Sequence, residues 1–148
     1  MLTAGTSLVV APGEGRVAEL GIARMRVLAA GEPTGGAFSL VEFSGDGGPW
    51  TVPHVHRGME ESFFVLDGEF RFRVGDDQVD VSVGSYLLVP RGTPHALAAG
   101  SDGGRLLTLM VPGGLEEMFF ALSKLPPGAL TDPAARAAVA TKYDSIPV

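Results

Sequence analysis

The chain has 148 residues, 45 % of them apolar and 19 % charged, a balance that buries one sizeable core and argues against a disordered chain. Its formal net charge is −6 and it has no run of Lys or Arg, which argues against a nucleic-acid backbone or an anionic membrane surface as a partner. It has no cysteine, hence no disulfide framework, no thiolate nucleophile and no Cys-based zinc site.

The first ten residues lack a basic start followed by a long apolar stretch, so they do not read as a secretion signal, and a soluble cytoplasmic protein is the expectation. With 21 Gly and 11 Pro, turn signals cut the chain into short segments, which favours strands over a helical bundle. Thr6–Ala11 is the first strand candidate and ends at Pro12-Gly13. Ala23–Ala29 alternates apolar and polar residues, and Ala37–Phe43 follows Gly35-Gly36. After a loop at Gly45–Pro49, Trp50–His56 alternates again until Gly58 breaks it. Glu61–Leu66 then reads as a strand that turns at Asp67-Gly68 into Glu69–Val74, a hairpin signal. In the return strand, Phe70, Phe72 and Val74 share one face and Arg71 and Arg73 the solvated other. Asp76-Asp77 is a turn. Val79, Val81 and Val83 alternate beyond it, and Tyr86–Val89 reads as a buried strand. His95–Ala98 and Leu106–Val111 are strands around a loop at Gly100–Gly104.

The tail changes character. Leu115–Leu122 has helical apolar content with Glu116 and Glu117 at its start, where carboxylates suit a helix N-terminus. Asp132-Pro133 reads as an N-cap followed by Pro in the first turn of an alanine-rich helix, Ala134–Tyr143. Nine or ten strands at hairpin spacing, without long crossovers or an internal repeat, predict one all-β jelly-roll barrel with two short C-terminal helices.

All three histidines fall in two strand-and-turn segments. His54 and His56 are two apart, so on a strand they face the same way, and two imidazoles one pleat apart can share an ion about 2.1 Å from each nitrogen. Gly58 lets the chain turn back, so a carboxylate opening the next strand, Glu60 or Glu61, can face that ion. The tight turn Pro90–Pro94 aims His95 from another strand. Three imidazoles and a carboxylate suit Fe, Mn, Co, Ni, Cu or Zn better than Ca or Mg.

These residues resemble the cupin superfamily. Gly48, His54, His56, Glu61 and Gly68 match its first motif, G-x5-H-x-H-x4-E-x6-G, and Gly84, Pro90, Gly92 and His95 match G-x5-P-x-G-x2-H of its second. Ala99 stands where the second motif continues with Asn, a residue that is no metal ligand in the family. The resemblance implies one cupin domain over residues 1–148, with the motif region at 48–95 and a helical tail at about 114–143. It also implies one transition-metal ion on His54, His56, Glu61 and His95, and selects Glu61 over Glu60. The whole chain looks most similar to small quercetin-dioxygenase-like monocupins. By that analogy it is a dioxygenase acting on a flavonol-like, phenolic or enolisable small molecule, with Glu61 as the catalytic base. The other readings are a non-redox metal-dependent cyclase, isomerase or lyase, and a small-molecule-binding cupin without turnover. Trp50, Phe63, Phe72 and Leu97 either line a substrate pocket or fill the core. Met118, Phe119 and Phe120 either cover the barrel mouth, with Phe119 in the pocket, or pack on the outer sheet. A homodimer is expected, with Thr6–Ala11 crossing to the partner.

Overall fold

The computed structural model describes residues 7–148. Ten strands and two α-helices follow in order: β1 (Val17–Leu20), β2 (Ala23–Ala29), β3 (Ser39–Gly45), β4 (Gly48–Pro49), β5 (His54–Val55), β6 (Glu60–Val74), β7 (Asp77–Val81), β8 (Tyr86–Val89), β9 (His95–Val111), α1 (Glu116–Ser123), α2 (Pro133–Ala140) and β10 (Ile146–Pro147). No helix among the described residues is long and apolar enough to cross a membrane.

Two long strands organise the fold. β6 and β9 run antiparallel along their whole length, from Glu60 opposite Val111 to Val74 opposite His95. One half of this pair extends through β3, β2 and β1 on one side and β8 on the other. The second half carries β7 beyond β6, and β4, β5 and β10 beyond β9. The two halves are the sheets of a jelly roll, and β6 and β9 pass from one to the other.

This corrects two expectations. Asp67-Gly68 is no hairpin turn, and Gly100–Gly104 is no loop; both lie inside the long strands. The ladder shifts register between Val65 and Asp67 and again between Gly68 and Phe70, and such bulges let a strand bend without ending. Glycine is required there by close approach. Gly68 has φ +76°, and a Cβ on it would strike the Gly103 carbonyl; one on Gly104 would stand 2.7 Å from the Phe70 ring. A short-range Asp-Gly signal cannot tell a turn from a bulge, because both require the same left-handed backbone.

Other expectations shift as well. Residues 7–11 form no strand, residue 6 lies outside the described residues, and the first strand is Val17–Leu20. Only His54–Val55 of Trp50–His56 is paired. β8 is buried on one face only: Tyr86 is 63 % and Leu88 48 % exposed on the outer face of the sheet, while Val89 sits in the core. The tail follows its sequence signals closely. The Asp132 side chain accepts from the Ala134 backbone N–H, with Pro133 opening α2.

Two apolar clusters fill the interior. Phe63, Val65, Phe70, Phe72, Val89, Leu97 and Leu106 pack at the centre of the sandwich. Met25, Val41, Met59 and Met110 meet Leu115, Met118, Phe120 and Leu122 from α1 on the other side. Glu116 is 2 % exposed, and its carboxylate accepts from the Gly31 and Gly114 backbone N–H groups, which ties α1 to the β2–β3 connection. In β9, the Thr108 hydroxyl is buried without a hydrogen-bond partner among the described residues. An orphaned hydroxyl costs about 1–3 kcal/mol. Thr108→Val is therefore expected to raise the urea unfolding midpoint without changing the slope of the transition.

Candidate metal centre

Four chain segments deliver the histidines and Glu61 to one point. His54 opens β5 and is the cross-strand partner of His95, the first residue of β9. His56 follows β5 in the turn at Arg57–Gly58, and Glu61 is the second residue of β6. The four residues are 8, 3, 1 and 5 % exposed in the order His54, His56, His95, Glu61. Each can offer one ligand atom such that all four atoms lie within 4.8 Å of one another. Glu61 is thus the carboxylate at this point.

The backbone orients every ring. His54 Nδ1 lies 2.7 Å from the Val52 carbonyl oxygen, His95 Nδ1 3.0 Å from that of Thr93, and His56 Nδ1 2.8 Å from that of Asp144. A carbonyl can only accept, so each Nδ1 carries a proton, and a ring with no second proton presents an Nε2 lone pair inward. Glu61 Oε2 stands 3.2 Å from His56 Nε2 and 3.0 Å from His95 Nε2. Lone pairs facing one another at this distance repel unless a proton or a metal cation draws on them. The donor set therefore fits a transition-metal ion of the Fe-to-Zn series.

The electrostatics agree. Burial and the neighbouring His95 push the His54 pKa down to about 4, so this imidazole is neutral at ordinary pH. Burial alone would lower the His56 value, but the Glu61 carboxylate outweighs it and the pKa is raised. Burial likewise opposes ionisation of Glu61, yet the contacts of its Oε2 with His56 and His95 Nε2, which become hydrogen bonds when a ring carries a second proton, hold it below the usual carboxylate range.

A cavity of about 740 Å³ opens from these ligands between the sheet and the two helices, a size that suits a small organic molecule. Trp50, Phe63, Leu97 and Phe119 line it; Phe72 does not, because it is wholly buried behind Phe63, ring centroids 4.8 Å apart. α1 closes one side with Leu115, Met118, Phe119 and Leu122, and Phe119 meets Phe43 edge to face at 5.0 Å. Phe120 faces away from the cavity, under the guanidinium of Arg16. Trp50 is pinned by its Nε1–H donating to the Asp46 carbonyl and by its ring against Phe70.

Sequence reasoning missed Asp144. Its carbonyl orients His56, and its carboxylate accepts from the Arg57 and Gly58 backbone N–H groups at 3.0 and 2.8 Å. Asp144 has φ +58°, a left-handed conformation that Asp tolerates better than most residues. The adjoining β10 pairs with β5, placing Pro147 opposite His54. A lone Asp 88 residues beyond His56 carries no local signal of such a role.

Comparison with known proteins places this geometry among relatives. A family model described as a cupin domain matches residues 41–112. A quercetin 2,3-dioxygenase of Bacillus subtilis (strain 168) is 31 % identical over 107 residues, covering 72 % of this chain and 32 % of that protein. A quercetin 2,3-dioxygenase of Aspergillus japonicus is 28 % identical over 107 residues, covering 66 % and 30 %. The chain thus spans about a third of the length of the curated relatives it matches. Among solved structures, KdgF from Halomonas sp. superposes with a TM-score of 0.67 at 18 % identity, over 76 % of this chain and 99 % of that one.

Proposed function

This chain carries a cupin domain, and from that premise we propose that it holds one transition-metal ion on His54, His56, Glu61 and His95 and acts as a dioxygenase on a flavonol-like, phenolic or enolisable small molecule. The observation that carries the reading is the convergence of three backbone-oriented imidazoles and one buried carboxylate on the wall of a largely apolar cavity. The two quercetin 2,3-dioxygenase relatives support the choice of reaction. When bound, a redox-active ion supplies electron exchange between substrate and O₂ and acidifies a coordinated hydroxyl.

The chain's own residues supply the rest. Val52, Thr93 and Asp144 fix the three rings through their carbonyls, so the ligand geometry is set before anything binds. Phe43, Trp50, Phe63, Leu97 and Phe119 form the apolar wall that holds a planar substrate and keeps bulk water from the reacting atoms. Glu61 is the one carboxylate side chain on the cavity wall, and it takes the proton of the substrate hydroxyl, acting as the general base.

The test is elemental analysis of protein purified without a metal-affinity tag, followed by O₂ uptake with flavonols and simpler phenols. Near-stoichiometric Fe, Mn, Co, Ni or Cu with substrate-dependent O₂ consumption supports the reading. Turnover under anaerobic conditions with zinc replaces the dioxygenase with a non-redox enzyme. Failure to take up any ion after reconstitution rejects the metal site.

A further inference from the structure

The wall of the cavity holds one side chain that its apolar surroundings do not explain. Arg136, in the first turn of α2, lines the cavity together with Leu130, Thr131, Pro133 and Ala137. It is half-buried, and one guanidinium nitrogen donates to the Leu130 carbonyl at 3.1 Å. Among the described residues no carboxylate stands within ion-pair distance of it. Asp132, the acid nearest in sequence, caps its own helix by accepting from the Ala134 N–H. Burial lowers the pKa of the Arg136 guanidinium, as expected of a cation pulled partly out of water without a counter-charge.

An unpaired cation on an apolar wall costs free energy, and an incoming oxyanion recovers it through charge-assisted hydrogen bonds. A guanidinium has five N–H donors in a flat fork, and Leu130 engages only one of its nitrogens. Apart from the three imidazoles, the charged side chains on the cavity wall are Glu61 and Arg136. The same wall carries Phe43, Trp50, Phe119 and Leu122. The cavity wall therefore combines the His/Glu cluster, an apolar and aromatic surface and one guanidinium.

We propose that Arg136 is a specificity residue that binds a carboxylate of the substrate, so that the substrate is an organic acid with an apolar, ring-bearing body and an oxygen that meets the His/Glu cluster. This rests on the reading of His54, His56, Glu61 and His95 as a metal site. The wall chemistry matches such a molecule group by group: an oxygen for the His/Glu cluster, a flat body for the aromatic surface and an anion for the guanidinium. A neutral flavonol fills the first two positions and leaves Arg136 unpaired.

The test compares two probes, 3-hydroxyflavone and its 4′-carboxylate, titrated by fluorescence against the zinc-loaded full chain near pH 7.5. Wild-type protein is expected to bind the carboxylate at least about tenfold more tightly than the parent compound. In Arg136→Gln that ratio collapses toward one, and Arg136→Lys, which keeps the charge but loses the fork, restores part of it. Equal affinity of wild type for the two probes overturns the proposal, and so does binding of neither. A ratio unchanged in Arg136→Gln makes Arg136 a structural tie to Leu130 and also overturns it. The wild-type comparison requires no variant to fold. Repeating it on chelator-stripped protein separates the two readings. Loss of the Arg136-dependent preference with intact zinc uptake sinks this proposal alone. Absent zinc uptake with the preference intact sinks the metal reading alone.

Discussion

Replacing His56 with alanine is expected to lower affinity for an added transition-metal ion by at least about a hundredfold, since even an outer partner of a ligand is worth about 10–100-fold. His56 has two jobs, and alanine does neither. Its Nε2 faces Glu61 Oε2, and its Nδ1–H satisfies the Asp144 carbonyl. The variant keeps Glu61 buried with one imidazole fewer beside it and leaves a carbonyl without its donor. Each such loss costs about 1–3 kcal/mol. Two measurements check this. Elemental analysis of tag-free protein is expected to find the ion in wild type and not in His56→Ala. Added zinc is expected to raise the melting temperature of wild type through mass action and to leave that of the variant unchanged. Equal ion content in the two proteins refutes the assignment of His56 as a ligand.

Phe72→Ala is expected to destabilise the fold by about 3–5 kcal/mol, the usual range for removing a buried aromatic ring. Phe72 has no exposed surface and packs among Phe63, Val65, Phe70 and Leu97. Its neighbours belong to β6 and β9, whose pairing joins the two halves of the sandwich, so the space left behind cannot easily collapse. Urea unfolding of wild type and variant gives the size of the effect. Phe63→Ala makes the informative partner, because Phe63 also lines the cavity and Phe72 does not. Truncating Phe63 is expected to weaken the binding of a flat aromatic probe as well as the fold. Truncating Phe72 is expected to lower stability while leaving the probe's affinity unchanged at a temperature where both proteins are folded. A Phe72→Ala loss of less than about 1 kcal/mol, or a probe affinity that falls as far as in Phe63→Ala, contradicts the placement of this ring in the core.

The reach of sequence reasoning follows the distance over which each signal acts. His54 and His56 were legible as a pair because strand periodicity fixes their common face, and His95 because a Pro- and Gly-bounded turn precedes it. The cap at Asp132-Pro133 was legible because capping is settled within three residues. The long strands were not. Asp67-Gly68 and Gly103-Gly104 each carry the local marks of a turn, and only their position opposite each other in the β6–β9 ladder makes them a shared bend. Alternation assigns Phe72 an inward face, which suits a cavity residue as well as a core one. Whether an inward side chain meets space or a neighbour depends on Phe63, which occupies the intervening position. Arg136 and Asp144 were invisible for the same reason: their meaning comes from elements far away in the chain.

The contact between residue 144 and the turn after β5 has a thermodynamic corollary. Asp144 holds His56, Arg57 and Gly58, while Val148 donates its backbone N–H to Pro53 at 3.1 Å, so the tail and the ligand-bearing segment share one set of hydrogen bonds. Linkage between two such events is reciprocal: if docking of the tail tightens the grip on an ion, the ion must hold down the tail by the same free energy. Local opening of residues 144–148 then becomes a gauge of occupancy. The amide protons of Gly58 and Val148 exchange with solvent only when this clasp opens, and their exchange slows in proportion to the fraction of protein carrying metal.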